Sequence, residues 1–132
     1  MTYRWSETSL RRMRGVRPEL IVVATEILYE CDNAGFCDLT IPAFGGLRTQ
    51  REQDELVRRG VSKTQNSRHL TGRALDVVPW FQGGPSWDMD EPRVAETYRF
   101  IWQKWDVIGG SYGWRFKPRI EWDWPHHELM DD

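Results

Sequence analysis

Apolar residues recur at helical spacing in two long segments of the chain, and each pattern predicts a helix with one buried face. Pro18 suits the first turn of the first helix, which should end near Gly35. Glu91 and Pro92 open the second, which should run to about Ile108. The predicted buried positions are Leu20, Ile21, Val23, Ala24, Ile27 and Leu28 in the first helix, and Val94, Tyr98, Ile101, Trp102 and Trp105 in the second.

Two shorter helices are predicted from their capping residues. Ser6 can cap a helix that continues through Arg14. Thr49 can cap a helix that reaches Arg59, and Glu52 stands three residues later as its partner in a capping box. Both helices are therefore expected to begin at a side chain that accepts hydrogen bonds from their first turn.

The remaining apolar runs predict strands. The run from 38 to 44 indicates a buried strand, and the run from 74 to 80 indicates a central one. Shorter strands are expected at 112–116 and 126–130. Helices and strands are mixed without a repeating β-α-β order, so the predicted class is α+β, and 132 residues are expected to form a single domain, 1–132.

Asp76 lies inside the predicted central strand, where a charge is costly unless it is paired or bound to a metal. His69 precedes it by seven positions, and Gly72 allows the intervening turn to bend back. Two histidines and one aspartate can hold zinc with one position left open for catalysis, so we expect a downstream histidine to complete the set. Taken singly, His69 is better explained as a surface loop residue and Asp76 as the cap of a strand end, and it is the combination with a downstream histidine that favours a metal site.

The third ligand is expected from the adjacent pair His126 and His127. Neighbouring residues of a strand point to opposite faces, so one of the two can reach the metal. We choose His126, because Asp123 stands three residues earlier as a usable general base, whereas the same offset from His127 gives a tryptophan. His127 is then expected at the surface or behind the ligands. Glu121 is the rival base, and Glu128 should face the same side as His126.

Charge and composition exclude some functions. The net charge is −2 and no basic motif is present, which argues against nucleic-acid binding, and the arginines at 11, 12, 14 and 17 are interpreted as a solvated helix face. No stretch is apolar enough to cross a membrane. No apolar signal segment opens the chain, so it is expected to stay in the cytoplasm unless other machinery releases it. Cys31 and Cys37 are expected to be free thiols without a metal role.

These residues resemble the LAS metallopeptidases, which include lysostaphin-type enzymes, D-alanyl-D-alanine peptidases and the hedgehog signalling domain. Within that group the chain is most similar to VanY-like peptidases, and specifically to the L-alanyl-D-glutamate endopeptidases of tailed-phage endolysins. The resemblance covers nearly the whole chain. The segments that carry it are Ser6–Leu10, Val16–Leu20, Gly46–Thr49, Gln53, Ser67–Asp76 and Pro125–His126.

The resemblance implies a small α+β domain in which an antiparallel sheet, flanked by helices, carries one zinc ion. It implies that zinc is bound by His69, Asp76 and His126, and that Asp123 is the catalytic base. Arg48 would contact the substrate or the developing oxyanion, and Ser67 would line the substrate cleft. The implied protein is a phage or prophage lysis enzyme, a monomer that reaches the stem peptides of peptidoglycan in the periplasm through a holin-type pore.

The chain departs from the family pattern at two places, and two other functions are compatible with its residues. His127 replaces an apolar residue, and the segment 113–119 lacks a Gly-Asp-Trp motif. A D-alanyl-D-alanine carboxypeptidase would use the same chemistry, and a zinc-bearing binding module would use none. Trp102 and Trp105 are expected in the core, while four other tryptophans are expected to wall the cleft, namely Trp80, Trp114, Trp122 and Trp124.

Overall fold

The fold, described for residues 2–131 by a computed structural model, contains four α-helices and five short strands in those residues. The helices are α1 (Glu7–Arg12), α2 (Pro18–Ala34), α3 (Gln50–Arg58) and α4 (Pro92–Ser111), with a short 3₁₀ helix at Arg68–Thr71. The strands are β1 (Asp38–Thr40), β2 (Ala74–Asp76), β3 (Val78–Phe81), β4 (Gly84–Pro85) and β5 (His126–Glu128). The predicted α+β class is confirmed.

The strands form two small antiparallel sheets instead of one central sheet. One sheet has the order β1-β3-β4, and the other pairs β2 with β5. The predicted strand 74–80 is therefore divided at Val77, whose N–H donates to the carbonyl of Pro125 at 3.0 Å. Because of this break, the first half of the apolar run (β2) pairs with β5 and the second half (β3) pairs with β1.

The capping residues act as predicted. Ser6 Oγ accepts from the N–H of Ser9, although α1 ends at Arg12, two residues early. Thr49 and Glu52 form the complete capping box of α3. Gly35 ends α2 in the left-handed conformation.

Three other boundaries differ from the predictions. Helix α4 continues through Gly109 to Ser111, and Gly109 packs against the ring of Phe116, which would lie 2.5 Å from a Cβ at that position, so this glycine serves close packing instead of ending the helix. The predicted strand 112–116 is reduced to one bridge between Phe116 and Leu129. The predicted strand 38–44 stops at Thr40, before Pro42.

The core lies between α2, α4 and the two sheets. Trp105 is fully buried, as predicted, whereas Trp102 is only half-buried, and both cysteines are buried free thiols. The arginines at 11, 12, 14 and 17 are exposed, which fits the predicted solvated face. Among residues 2–131, none of the helices combines the length and hydrophobicity that crossing a membrane requires.

Gly72 is expected to be essential for the turn between His69 and Asp76. Its φ is +72°, and a Cβ there would lie 2.3 Å from the carbonyl oxygen of Gly15. Gly60 is a matched control, since it has φ +75° but open space around it. We expect Gly60→Ala to cost about 1–2 kcal/mol for the left-handed conformation alone, and Gly72→Ala to cost about 1–3 kcal/mol more because of the collision. Urea unfolding of the metal-free protein measures both, and equal losses would contradict the close approach.

Candidate metal centre

Three side chains converge where β2 and β5 meet the 3₁₀ helix. The register of the sheet places Asp76 directly opposite His126. The 3₁₀ helix carries His69 to the same point, and the three residues offer ligand atoms that lie within 4.8 Å of one another. The predicted set of His69, Asp76 and His126 is therefore brought together, and it can hold a metal ion.

His69 is oriented as metal-binding histidines usually are. Its side chain is almost wholly buried, and Nδ1 lies 2.8 Å from the carbonyl oxygen of Gly46, to which it can donate its proton. Nε2 is then left with a free lone pair, 3.3 Å from Asp76 Oδ1, and it makes no hydrogen bond within the described part of the chain. A buried ring nitrogen without a partner requires an explanation, and a metal ion at this position supplies one.

In His126 the roles of the two ring nitrogens are reversed relative to His69, so that Nδ1 instead of Nε2 lies toward Asp76. Its Nε2 lies 2.9 Å from Glu128 Oε1, and its Nδ1 lies 3.2 Å from Asp76 Oδ1. Glu128 thus faces the same side as His126, as predicted, and is itself 3.1 Å from Lys117 Nζ. When Nε2–H donates to Glu128, the Nδ1 lone pair is available for a metal ion. The donor set of two imidazole nitrogens and one carboxylate oxygen fits zinc chemistry.

The electrostatics of the three residues favour a cation between them. Burial raises the pKa of Asp76, but the charges of the two imidazoles and the hydrogen bond of His126 outweigh it and hold that pKa well below its usual value. Burial lowers the pKa of His126, but its contacts with Asp76 and Glu128 outweigh it and raise the pKa to about 9. Without a metal the site therefore holds a proton at neutral pH, which a binding metal ion must displace.

Asp123 lies beside the three residues, in the lining of a cavity of about 650 Å³ that also contains His69, Asp76 and His126. Burial and the nearby charge of Asp76 raise its pKa. Its backbone carbonyl accepts from the N–H of His126 at 3.3 Å, so the base candidate and the ligand belong to one turn. Glu121, the rival base, is exposed and does not line this cavity.

Arg48 lies beside the same carboxylate and is held firmly. Its Nη2 is 3.6 Å from Asp76 Oδ2, its Nη1 donates to Gln53 Oε1 at 2.9 Å, and its Nε donates to the carbonyl of Phe44 at 2.6 Å. The guanidinium lines the cavity with its position fixed by these contacts. Ser67, also in the lining, accepts from the N–H of His69 at 3.2 Å and so fixes the start of the 3₁₀ helix.

Gln53 has a positioning role that the sequence analysis did not assign. It is fully buried, and besides holding Arg48 it donates to Ser62 Oγ at 2.9 Å and to the carbonyl of Thr64 at 2.6 Å. In the sequence, the burial of Gln53 is indicated only by its position three residues before Leu56, on the same buried side of α3. One amide group thus joins Arg48 to the loop that leads to Ser67.

The expectation that His127 lies at the surface or behind the ligands is wrong. Its ring is buried between two indoles, with centroids 3.6 Å from Trp105 and 4.2 Å from Trp102. Burial holds its pKa well below the usual value, and neither nitrogen has a hydrogen-bond partner among residues 2–131. The prediction that His126 and His127 point to opposite faces of β5 is correct, but the face that carries His127 packs against the core instead of solvent. A neutral, stacked imidazole is therefore accommodated where an apolar residue is usual.

The four tryptophans expected around the cleft do not line the metal-site cavity. Trp122 is 84% exposed, Trp114 stacks on Tyr112, and Trp124 lies under the guanidinium of Arg119 at 3.8 Å. Trp80 faces a different cavity. Trp87, which the sequence analysis left without a role, lines the cavity in their place.

Comparisons with known proteins identify the family. A family model described as phage L-alanyl-D-glutamate peptidase matches residues 1–107. The chain belongs to this family. Membership makes it a peptidoglycan peptidase and confirms the resemblance seen in the sequence. The matched range includes His69 and Asp76 and ends before Asp123 and His126. For those two residues the comparison with known proteins therefore depends on solved structures.

Solved structures extend the comparison over the C-terminal part of this peptidase. The L-Ala D-Glu endopeptidase ChiX of Serratia marcescens matches with a TM-score of 0.71 and 29% identity, over 96% of this chain and 90% of its own. The L,D-carboxypeptidase DacB from Streptococcus pneumonia matches with a TM-score of 0.52 and 14% identity, over 90% of this chain and 68% of its own, which shows the fold alone. The comparison with curated protein sequences gave no match.

The two adjacent histidines of this peptidase should differ in their effect on metal binding. We expect His126→Ala to weaken zinc binding by at least about 100-fold, because it removes one of three ligands. His127→Ala should keep the wild-type affinity but lower the free energy of unfolding, since it leaves a cavity between two indoles. Isothermal titration with zinc and urea unfolding measure the two effects. Loss of zinc binding in His127→Ala alone would overturn the ligand assignment.

Proposed function

We propose that this chain is a zinc-dependent endopeptidase that cleaves the bond between L-alanine and D-glutamate in peptidoglycan stem peptides. One observation carries the proposal: Nε2 of His69, Nδ1 of His126 and Oδ1 of Asp76 face one point in a cavity that also contains the carboxylate of Asp123. Three such ligands leave one zinc coordination position open, as catalytic zinc sites do. The family membership and the similarity to ChiX support this choice of bond.

Asp123 is proposed as the general base. A bound zinc ion supplies a Lewis acid that acidifies water and polarises the scissile carbonyl. Asp123 accepts the proton of the attacking water and delivers it to the leaving amine. Burial and the charge of Asp76 raise its pKa, which makes the carboxyl a better proton carrier than an exposed aspartate. The exposed Glu121 has no comparable position.

Arg48 and Ser67 are proposed to act on the substrate. The Arg48 guanidinium, fixed by Gln53 and Phe44, stabilises the negative charge that develops on the scissile carbonyl oxygen or binds a substrate carboxylate. Ser67 contacts the substrate from the wall of the cavity. Stem peptides are rich in carboxylates, and three arginines line the cavity, namely Arg48, Arg59 and Arg68.

The remaining parts of the proposal concern organisation and location. We propose that residues 1–132 act as one peptidase domain, which the similarity to ChiX over 96% of the chain supports, and that the protein is a monomer. As a phage-family peptidase, the protein is proposed to be made in the host cytoplasm and to reach the cell wall in the periplasm through a holin-type pore, without a membrane or nucleic-acid partner.

Digestion of purified peptidoglycan tests the proposed bond. We expect the zinc-loaded protein to generate new L-alanine carboxyl ends and D-glutamate amino ends, and mass spectrometry of the products detects both. Removal of the metal by a chelator should abolish the products, and added zinc should restore them. Release of free D-alanine without these ends would instead indicate a carboxypeptidase. Zinc binding without any product would indicate a binding module.

Asp123→Asn should separate metal binding from catalysis. The variant keeps the size of the side chain and leaves the three ligands in place, so zinc affinity should remain within a few fold of wild type. Hydrolysis should fall by about 10²–10⁴-fold, the usual contribution of a positioned acid–base group. Glu121→Gln is the matched control and should retain wild-type turnover. The assignment of the base would move to Glu121 if the two variants exchanged these results.

A further inference from the structure

A second cavity adjoins the one that holds the candidate metal ligands. Its volume is about 560 Å³, and it shares part of its lining with the first cavity, namely Pro42, Ala43 and Trp87. Its remaining wall is formed by residues of the N-terminal segment, β1 and the β3-β4 hairpin. The two cavities are therefore neighbouring parts of one surface, and neither the proposed chemistry nor the fold requires the second one.

The second cavity presents two large aromatic side chains to solvent. Trp80 is 43% exposed and Trp87 is 55% exposed, and both line it. Arg4 and Arg12 add hydrogen-bond donors, and Nη1 of Arg12 is held by the carbonyl of Ile41 at 2.9 Å. We call this surface the tryptophan groove; it is lined by Arg4, Arg12, Asp38, Trp80, Pro85 and Trp87. Flat aromatic faces beside polar groups suit a ligand that has both apolar faces and hydroxyl groups, as sugar rings have.

The covalent structure of the substrate places a sugar close to the cleaved bond. In peptidoglycan, the L-alanine of the stem is joined through a lactyl group to N-acetylmuramic acid. One amino acid and one lactyl group span about 7 Å, or two residue lengths, so the sugar must lie next to the metal-site cavity. The tryptophan groove is a neighbouring cavity of suitable size.

The linings of the two cavities differ in the groups they offer. The metal-site cavity contains Arg48, Ser62, Thr64 and Asn66, polar and cationic groups that suit the carboxylates of the peptide. The tryptophan groove contains both Trp80 and Trp87, whereas the metal-site cavity contains only the second of these indoles. Two indoles beside hydrogen-bond donors suit a neutral sugar ring.

We propose that the tryptophan groove binds the N-acetylated sugar of the glycan strand that carries the cleaved stem. Trp80 and Trp87 stack on the apolar faces of the sugar rings, and Arg4 and Arg12 donate hydrogen bonds to hydroxyl and acetamido oxygens. This inference rests on the proposed function, because the sugar is placed by its distance from the L-alanyl bond. Its consequence is a preference for stems that are still attached to glycan over free peptides.

The test compares two substrates that differ only in the sugar. One is a disaccharide–tetrapeptide, and the other is the same tetrapeptide with an acetyl group in place of the disaccharide. Trp80→Ala should lower kcat/KM for the first by about tenfold and leave the second unchanged. Trp80→Phe, which keeps an aromatic face, should retain most of the preference. Trp122→Ala is the matched control, since Trp122 is 84% exposed and lines neither cavity.

Equal losses on both substrates, or no loss on either, would overturn the proposal. Thermal unfolding of each variant verifies that the fold is intact, and Trp80→Leu, which keeps apolar bulk without an aromatic face, is used with the same expected loss if Trp80→Ala does not fold. A direct titration separates this proposal from the proposed function, because the disaccharide N-acetylglucosaminyl-N-acetylmuramic acid carries no peptide to cleave. Ligand-observed NMR should detect its binding to wild type and Trp122→Ala, and about tenfold weaker binding to Trp80→Ala, even if no substrate is hydrolysed. Binding of undiminished strength in Trp80→Ala would overturn the groove assignment.

Discussion

The pairing of β2 with β5 is the interaction on which the candidate site depends. Each strand has only three residues, but their register sets Asp76 opposite His126 and Leu75 opposite His127. One pair then faces the metal-site cavity and the next pair faces the core. A shift by one residue would bury Asp76 and expose His127, which would place a charge in the core and leave the two indoles without their partner. The same register is therefore favoured by packing on one face and by charge on the other.

The three candidate ligands are oriented by hydrogen bonds and an ion pair with residues that surround them. Gly46 orients His69, Glu128 orients His126, and Arg48 lies against Asp76. Gln53 then holds Arg48 from the fully buried side of α3. These partners select which ring nitrogen of each histidine is free, and this selection distinguishes a metal-binding arrangement from a simple cluster of charges. The family similarity and this geometry lead to the same chemistry by independent routes.

The sequence predicted the parts of the molecule that depend on local pattern. The helices, their caps and the set His69, Asp76 and His126 were found because helical spacing, capping residues and a charge in an apolar run are visible in the chain itself. The break at Val77 and the burial of His127 depend on partners distant in sequence, Pro125 and Trp105. Gln53 was named only as part of the family resemblance for the same reason, since the role of its polar side chain becomes visible once Arg48 and the loop 62–64 lie beside it.

The distribution of the three candidate ligands along the chain has a consequence for the life of the molecule in a cell. Asp76 and His126 are separated by 50 residues. The last part of that separation, residues 112–125, contains only turns, irregular backbone and one isolated bridge before β5 begins. An ion bound between Asp76 and His126 would act as a cross-link that ties this C-terminal tail to the rest of the fold. Metal binding would thus reinforce the pairing of β2 with β5 and the stacking of His127, which already attach this tail, so the ion would raise the stability of the fold as well as supply its chemistry.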